Sequence, residues 1–183
     1  MKLILASASP RRRELLQQAG LTFEVIPSTV EENVPEDISQ EERVKALARL
    51  KAEDVFAAHP DATVIGSDTL VFFNGKALGK PGSEEEAKAM LRMLSGRVHT
   101  VSTGVCICSA ERTICFAETT EVEFFELSEE EIAAYVASFE PMDKAGSYGI
   151  QGLGAVLVRR IVGDYNNVVG LPLARTVRAL RSL

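Results

Sequence analysis

The chain has no tryptophan, and only three cysteines and two histidines among its 183 residues. Cys106, Cys108 and Cys115 are odd in number and show neither a Cys-x-x-Cys nor a Cys/His ligand spacing, which argues against a zinc site. If the hairpin turn falls at 109–112, Cys106 and Cys115 face each other, yet the expectation for all three is reduced thiols packed in the core. His59 and His99 lack partners at ligand spacing and read as structural; no Ser-His-Asp or Cys-His pairing accompanies them. An excess of positive charge is missing too. With 20 Lys+Arg against 26 Asp+Glu, the formal net charge is −6, which argues against binding a nucleic-acid polymer or an acidic membrane. No run of ~18 apolar residues is present to span a bilayer. The start of the chain is too short in apolar residues for a signal peptide, so a cytoplasmic protein is expected.

What remains is an ordinary globular composition, 46% hydrophobic and 25% charged. The length suits one domain over 1–183, or two lobes sharing a core. The most informative stretch is 3–16, LILASASPRRRELL. It reads as a short apolar strand, a Ser-rich turn, and a helix with Pro10 at its first position. Arg11, Arg12 and Arg13 fill the first helical turn, the end where the macrodipole is positive and free N–H groups already attract an anion. Cations crowded there point to a strongly anionic ligand, phosphate above all, to which Ser7 and Ser9 add hydroxyl donors. The three arginines fan out about 100° apart, so at most two converge on one ligand.

Beyond Gly20 the pattern predicts a strand at 21–27 and an acidic loop at 28–37 with Glu31 and Glu32. Ser39 and Glu42 form a capping box that opens a long helix to about residue 58. A strand at 63–73 is interrupted at 66–69 and returns through the Asn74-Gly75 hairpin turn. Ser83 with Glu86 and Ser128 with Glu131 cap two further helices, which flank a long antiparallel hairpin at 98–108 and 113–125. A Gly-rich loop at 140–154, a strand at 155–162 and a helix from Pro172 complete the chain. Hairpins break the βα alternation of a purely parallel sheet, so the fold class is α/β with a mixed sheet.

Asp68 stands inside the apolar segment VIGSDTLVFF, where an ionised group is costly unless paired, hydrogen-bonded or bound to a metal. It is either a satisfied turn residue or a metal ligand and general base, and the small Gly66 and Ser67 let a ligand approach the backbone. Glu31 and Glu32, beside phosphate-binding cations, are plausible partners for Mg²⁺. Lys51 and Lys80 each read as surface residues alone, but with the arginines they surround a polyphosphate. The loop DKAGSYGIQG (143–152) is neither a Walker A nor a dinucleotide fingerprint. It is either a flexible loop or a wall for close backbone approach, in which Gln151 offers both donor and acceptor to a base edge.

These segments, SASPRR with ELL (7–16), GSDT (66–69), GKP (79–81), LSG (94–96), DKAGSYGIQG (143–152) and YNNVVGLP (165–172), together resemble the Maf family of nucleoside triphosphate pyrophosphatases. The similarity runs in order over nearly the whole chain. It implies an α/β fold like that of the inosine triphosphate pyrophosphatases, two lobes around a central cleft, commonly dimeric. The 143–152 loop resembles the branch acting on dTTP and UTP, not the branch acting on 7-methyl-GTP. The resemblance implies Asp68 as proton acceptor, Arg11, Thr69 and Gln151 as specificity residues, and Glu32, Lys51 and Lys80 as active-site members, with the register between Glu31 and Glu32 left open. The expected reaction is hydrolysis of dTTP or UTP to the monophosphate and pyrophosphate, assisted by Mg²⁺ or Mn²⁺ on Asp68 and Glu32, with Arg11, Arg12, Lys51 and Lys80 neutralising the leaving group. A non-catalytic nucleotide-binding regulator of cell division is the alternative.

Overall fold

A computed structural model describes residues 2–183. The described residues form seven strands and six α-helices: β1 (Leu3–Leu5), α1 (Pro10–Gln18), β2 (Glu24–Val25), α2 (Gln40–Ala58), β3 (Thr63–Phe73), β4 (Lys76–Leu78), α3 (Glu84–Leu94), β5 (Val98–Cys108), β6 (Thr113–Phe124), α4 (Glu129–Ala137), β7 (Val158–Val162), α5 (Tyr165–Val169) and α6 (Leu173–Arg181). The strand order is β2-β1-β3-β5-β6-β7, with β4 paired to β3. β1 runs parallel to β2 and β3, whereas β3–β4 and β6–β7 are antiparallel, so the sheet is mixed as expected. Among the described residues no helix is long and apolar enough to cross a membrane.

The chain divides into two compact units, the first Met1–Thr69, Thr103–Glu118 and Gly170–Leu183, the second Leu70–Ser102 and Thr119–Val169. In the first, α2 presents Val44, Leu47, Ala48, Ala52 and Val55 to the core, a stripe at helical spacing. Gly66 and Gly104, on neighbouring strands, let the helix lie directly on the sheet. A Cβ on Gly66 meets the Ala48 carbonyl and Ala52 N at 2.6 Å; one on Gly104 meets the Val44 carbonyl and Lys45 N at 2.7 Å. The expected break at 66–69 is absent: β3 is continuous, and what approaches Gly66 is α2, not a ligand. The cysteines differ from expectation as well. Ser109 N–H donates to the Arg112 carbonyl, which places Cys106 opposite Cys115, and the two form a disulfide with a Cα–Cα distance of 4.2 Å. The facing of the two follows from the 109–112 turn; the expectation of reduced thiols is what the disulfide overturns. Cys108 is the remaining buried thiol, its pKa raised by that burial.

The second unit packs Val71, Leu91, Leu94, Val101, Phe124, Ile132, Val136 and Leu157 into one core. Its capping boxes are unequal. Ser128 and Glu131 bond reciprocally, but at α3 the Glu86 carboxylate accepts from Gly82 N–H (2.7 Å), one residue before the cap. The predicted strand at 155–162 is shortened because Gly152–Leu157 forms 3₁₀ turns, and α5 is an additional helix started by Asp164, whose Oδ1 accepts from Asn167 N–H (3.1 Å).

His99, 2% exposed, sits edge-on to Phe124 and Tyr148 and shares a 2.6 Å hydrogen bond with the Tyr148 hydroxyl. It is structural, as read. Burial depresses its pKa from 6.5 to about 4. Between these values the unfolded chain binds the proton and the folded chain does not, so stability present above pH 6.5 is lost as pH falls to about 4. The loss is on the order of 3 kcal/mol. Urea unfolding followed across this range should show that slope, and His99→Leu should remove it.

Candidate active site

In the first unit β1 and β3 run side by side, Leu5 opposite Ile65, and both chains then continue past their shared ends. Residues at the carboxyl ends of parallel strands are where open α/β sheets place ligand-binding groups. Here those residues are Ser7 after β1, and Asp68 and Thr69 on β3. Alternation along β3 gives Gly66 and Asp68 to the side of α2 and Thr69 to the other. Asp68 is 9% exposed, and its charge is met by α2. Lys51 falls in register with the α2 core stripe, seven residues after Val44, so its stem runs inward and its ammonium needs an anion. Lys51 Nζ lies 2.5 Å from Asp68 Oδ1 and 2.9 Å from Glu32 Oε1. One lysine therefore brings the strand carboxylate and the loop carboxylate together, and the residue of the adjacent pair that it selects is Glu32.

The loop that carries Glu32 is tied down one helical turn further along α2. Asp54 Oδ2 accepts from the Ser28 hydroxyl (2.7 Å) and Thr29 N–H (3.1 Å). None of the three stands out in the sequence, although Asp54 three places after Lys51 lies on the same helix face.

On the other side of β3, Arg12 shares the buried face of α1 with Leu15 and Leu16, three and four residues on. Its Nε donates to the Gly170 carbonyl (2.8 Å), Nη1 to Ser7 Oγ (3.0 Å) and Nη2 to Thr69 Oγ1 (3.0 Å). Thr69 Oγ1 in turn shares a hydrogen bond with Thr103 Oγ1 (2.9 Å). All three Arg12 acceptors are neutral. Burial lowers the Arg12 pKa from its ordinary value, opposed by the charges of Asp68 and Glu32 and reinforced by Arg11, so the cation and both carboxylates interact. Arg11 is half-buried and Arg13 exposed. Thr103 and Gly170 went unassigned in the sequence because nothing in a β-run or a Gly-Leu-Pro turn marks a buttress.

Lys80 and Gln151 belong to the second unit, and both are exposed. Gly146 N–H donates to the Gly79 carbonyl (3.1 Å), joining the Lys80 turn to the 143–152 loop. That loop is built, not slack. Glu140 Oε2 accepts from Leu153 N–H and Oε1 from Gly154 N–H and the Tyr135 hydroxyl, each at 3.0 Å, and Tyr135 Oη accepts from Gly149 N–H (3.1 Å). Burial works against ionisation of Glu140, but these hydrogen bonds and the Lys144 charge outweigh it and hold its pKa below the ordinary value.

Among the described residues no three His, Cys, Asp or Glu side chains form a metal cluster. Asp68 and Glu32 nevertheless fit Mg²⁺ or Mn²⁺. Their oxygens already converge on one cation, Lys51 Nζ, and Mg²⁺ is commonly held by one or two carboxylates with waters and substrate phosphates completing the shell.

A dTTP/UTP pyrophosphatase of Bacillus cereus (strain AH820) is 54% identical over 180 residues, covering 98% of this chain and 94% of the relative. The dTTP/UTP pyrophosphatase of Bacillus mycoides (strain KBAB4) matches with the same identity and coverage. The structure of a HAM1 protein from Coxiella burnetii superposes over 100% of both chains with a TM-score of 0.52 at 16% identity, a likeness of fold. The Maf-like protein model matches residues 2–183. The chain belongs to the Maf-like protein family.

Proposed function

We propose that this chain is a dTTP/UTP pyrophosphatase that cleaves between the α- and β-phosphates, releasing nucleoside monophosphate and pyrophosphate. The observation that carries the reading is the Asp68–Lys51–Glu32 arrangement, with Arg12 held on Thr69, the next residue of β3, in a chain 54% identical to proteins of that activity.

Asp68 accepts the proton of the water that attacks the α-phosphorus; a positioned general base is worth about 10²–10⁴-fold. Glu32 and Asp68 would hold Mg²⁺ or Mn²⁺, which when bound supplies a polarised water and neutralises phosphate charge. Lys51, fixed by the core stripe of α2, keeps the two carboxylates in register and adds positive charge next to the reacting group. Arg12, held by Ser7, Thr69 and Gly170, presents a guanidinium of fixed orientation, and with Arg11 and Lys80 it offsets charge on the departing pyrophosphate. Ser7 contributes a hydroxyl to the phosphates. Thr69 and Gln151 take part in specificity, Gln151 pairing with the carbonyl and imide edge of a pyrimidine, so that a base lacking that pattern leaves polar groups unpaired. The protein so read is a cytoplasmic homodimer acting on free nucleotides.

A panel of dTTP, UTP, CTP, dATP and GTP with Mg²⁺ or Mn²⁺ tests the assignment. The expected outcome is preferential turnover of dTTP and UTP with pyrophosphate as product. Orthophosphate release, or nucleotide binding without turnover under every metal condition, contradicts it.

A further inference from the structure

The segment that bears Gln151 is held by a buried tyrosine and a half-buried glutamate that the reaction itself does not require. Tyr135 is 5% exposed on α4, and Glu140 opens the 3₁₀ turn Glu140–Asp143 just beyond it. Together they bracket Gln151. Tyr135 Oη takes the N–H of Gly149, two residues before it; Glu140 takes the N–H groups of Leu153 and Gly154, two and three residues after. The Tyr135 hydroxyl donates to Glu140 Oε1, which locks the two anchors to each other. Lys144 Nζ donates to the Glu140 carbonyl at 2.6 Å, fastening the same turn from its backbone.

The glycines record how closely the backbone wraps this pair. Gly152 has φ +63°, and a Cβ there meets Glu140 Oε2 at 2.7 Å. A Cβ on Gly154 meets the Gly149 carbonyl and lies 2.6 Å from Tyr135 Oη. The side chain of Gln151 remains exposed while the backbone on both sides of it is pinned. That division suits a residue that reads a base: the reading group is open, and its conformational freedom has already been removed.

We propose that Tyr135 and Glu140 are positioning residues that set pyrimidine discrimination by fixing the backbone around Gln151. The proposal rests on the reading of Gln151 as the base-recognising residue. It makes Glu140 a specificity determinant that never contacts substrate. Glutamine in its place cannot serve, because one of its two terminal atoms is an NH₂ that opposes a backbone N–H where the carboxylate accepted one.

The test compares Glu140→Gln, Tyr135→Phe and Gln151→Ala, singly and with Glu140→Gln and Gln151→Ala combined, using dTTP, UTP and CTP. Glu140→Gln should lower the kcat/KM preference for dTTP over CTP by about tenfold, mainly through KM, a loss typical of a slightly misplaced binding group. Tyr135→Phe should act in the same direction with smaller size and keeps the fold testable if the Glu140 variant is unstable. The double variant should be no worse than Gln151→Ala alone, since both changes remove one unit. Hydrogen exchange should rise selectively at Gly149, Leu153 and Gly154. If Gln151→Ala erodes the preference while the Glu140 and Tyr135 variants retain it, the positioning role is overturned and the reading of Gln151 stands. If Gln151→Ala itself leaves the preference unchanged, that reading fails and the proposal falls with it.

Discussion

Asp68→Asn is expected to lower kcat for dTTP by about 10³-fold while the protein stays folded. The substitution keeps the shape and one oxygen acceptor of the side chain but removes the proposed proton acceptor and one of the two carboxylates suited to a divalent cation. The fold survives for a specific reason. Breaking a buried ion pair usually strands a charge, at a cost of about 3–5 kcal/mol. Here Lys51 keeps Glu32 at 2.9 Å, and the asparagine oxygen can still accept from its ammonium. The stability lost should therefore be about 1–2 kcal/mol, the value of weakening one charged hydrogen bond. Single-turnover kinetics alongside thermal melts separates the two effects. Turnover within tenfold of the parent moves the base elsewhere; collapse of the fold shows that the pair is chiefly structural.

Gly66→Ala should be strongly destabilising for a single added methyl group. The added Cβ runs into the Ala48 carbonyl, Ala52 N at 2.6 Å and Ala52 Cβ at 2.8 Å, which are mostly helix backbone and cannot rotate away. The sheet and α2 must separate, and overpacking of this kind costs on the order of 3 kcal/mol or more. Activity should fall further than stability alone explains, because α2 carries Lys51 and Asp54 and any shift pulls Glu32 away from Asp68. Gly104→Ala, which meets the Val44 carbonyl on the same helix, should destabilise likewise. Gly79→Ala, with nothing within 4 Å of its Cβ, should change the urea midpoint little. Equal midpoints for Gly66→Ala and Gly79→Ala refute the close-packing account.

Much of this was legible in the sequence, and the parts that were not share a cause. Helix starts at Pro10, Ser39 and Ser128 and the Asn74-Gly75 turn are local signals, and each stands where its chemistry puts it. Asp68 announced itself as a charge in an apolar run, but Lys51 alone reads as a surface residue, and its pairing with Asp68 and Glu32 emerges only in the fold. What escaped depends on contacts between distant segments. Gly66 looked like room for a ligand because nothing local says that a helix fills the space. For Cys106 and Cys115 the facing positions follow from a turn at 109–112, and what escaped was the bond itself, because the expected compartment favours reduced thiols. Glu140 resembled any acidic residue at a helix end, and its role exists only because Leu153 and Gly154 return to it. Arg12 stands between these cases: its place among cations at a helix start suggested an anion site, whereas its three neutral acceptors emerge only in the fold.

The most direct test of the central claim is hydrolysis of dTTP in ¹⁸O-enriched water with both products analysed by mass. Attack on the α-phosphorus predicts one heavy oxygen in dTMP, unlabelled pyrophosphate, and the two products in equal amounts. Label in pyrophosphate, or the appearance of dTDP and orthophosphate, contradicts it.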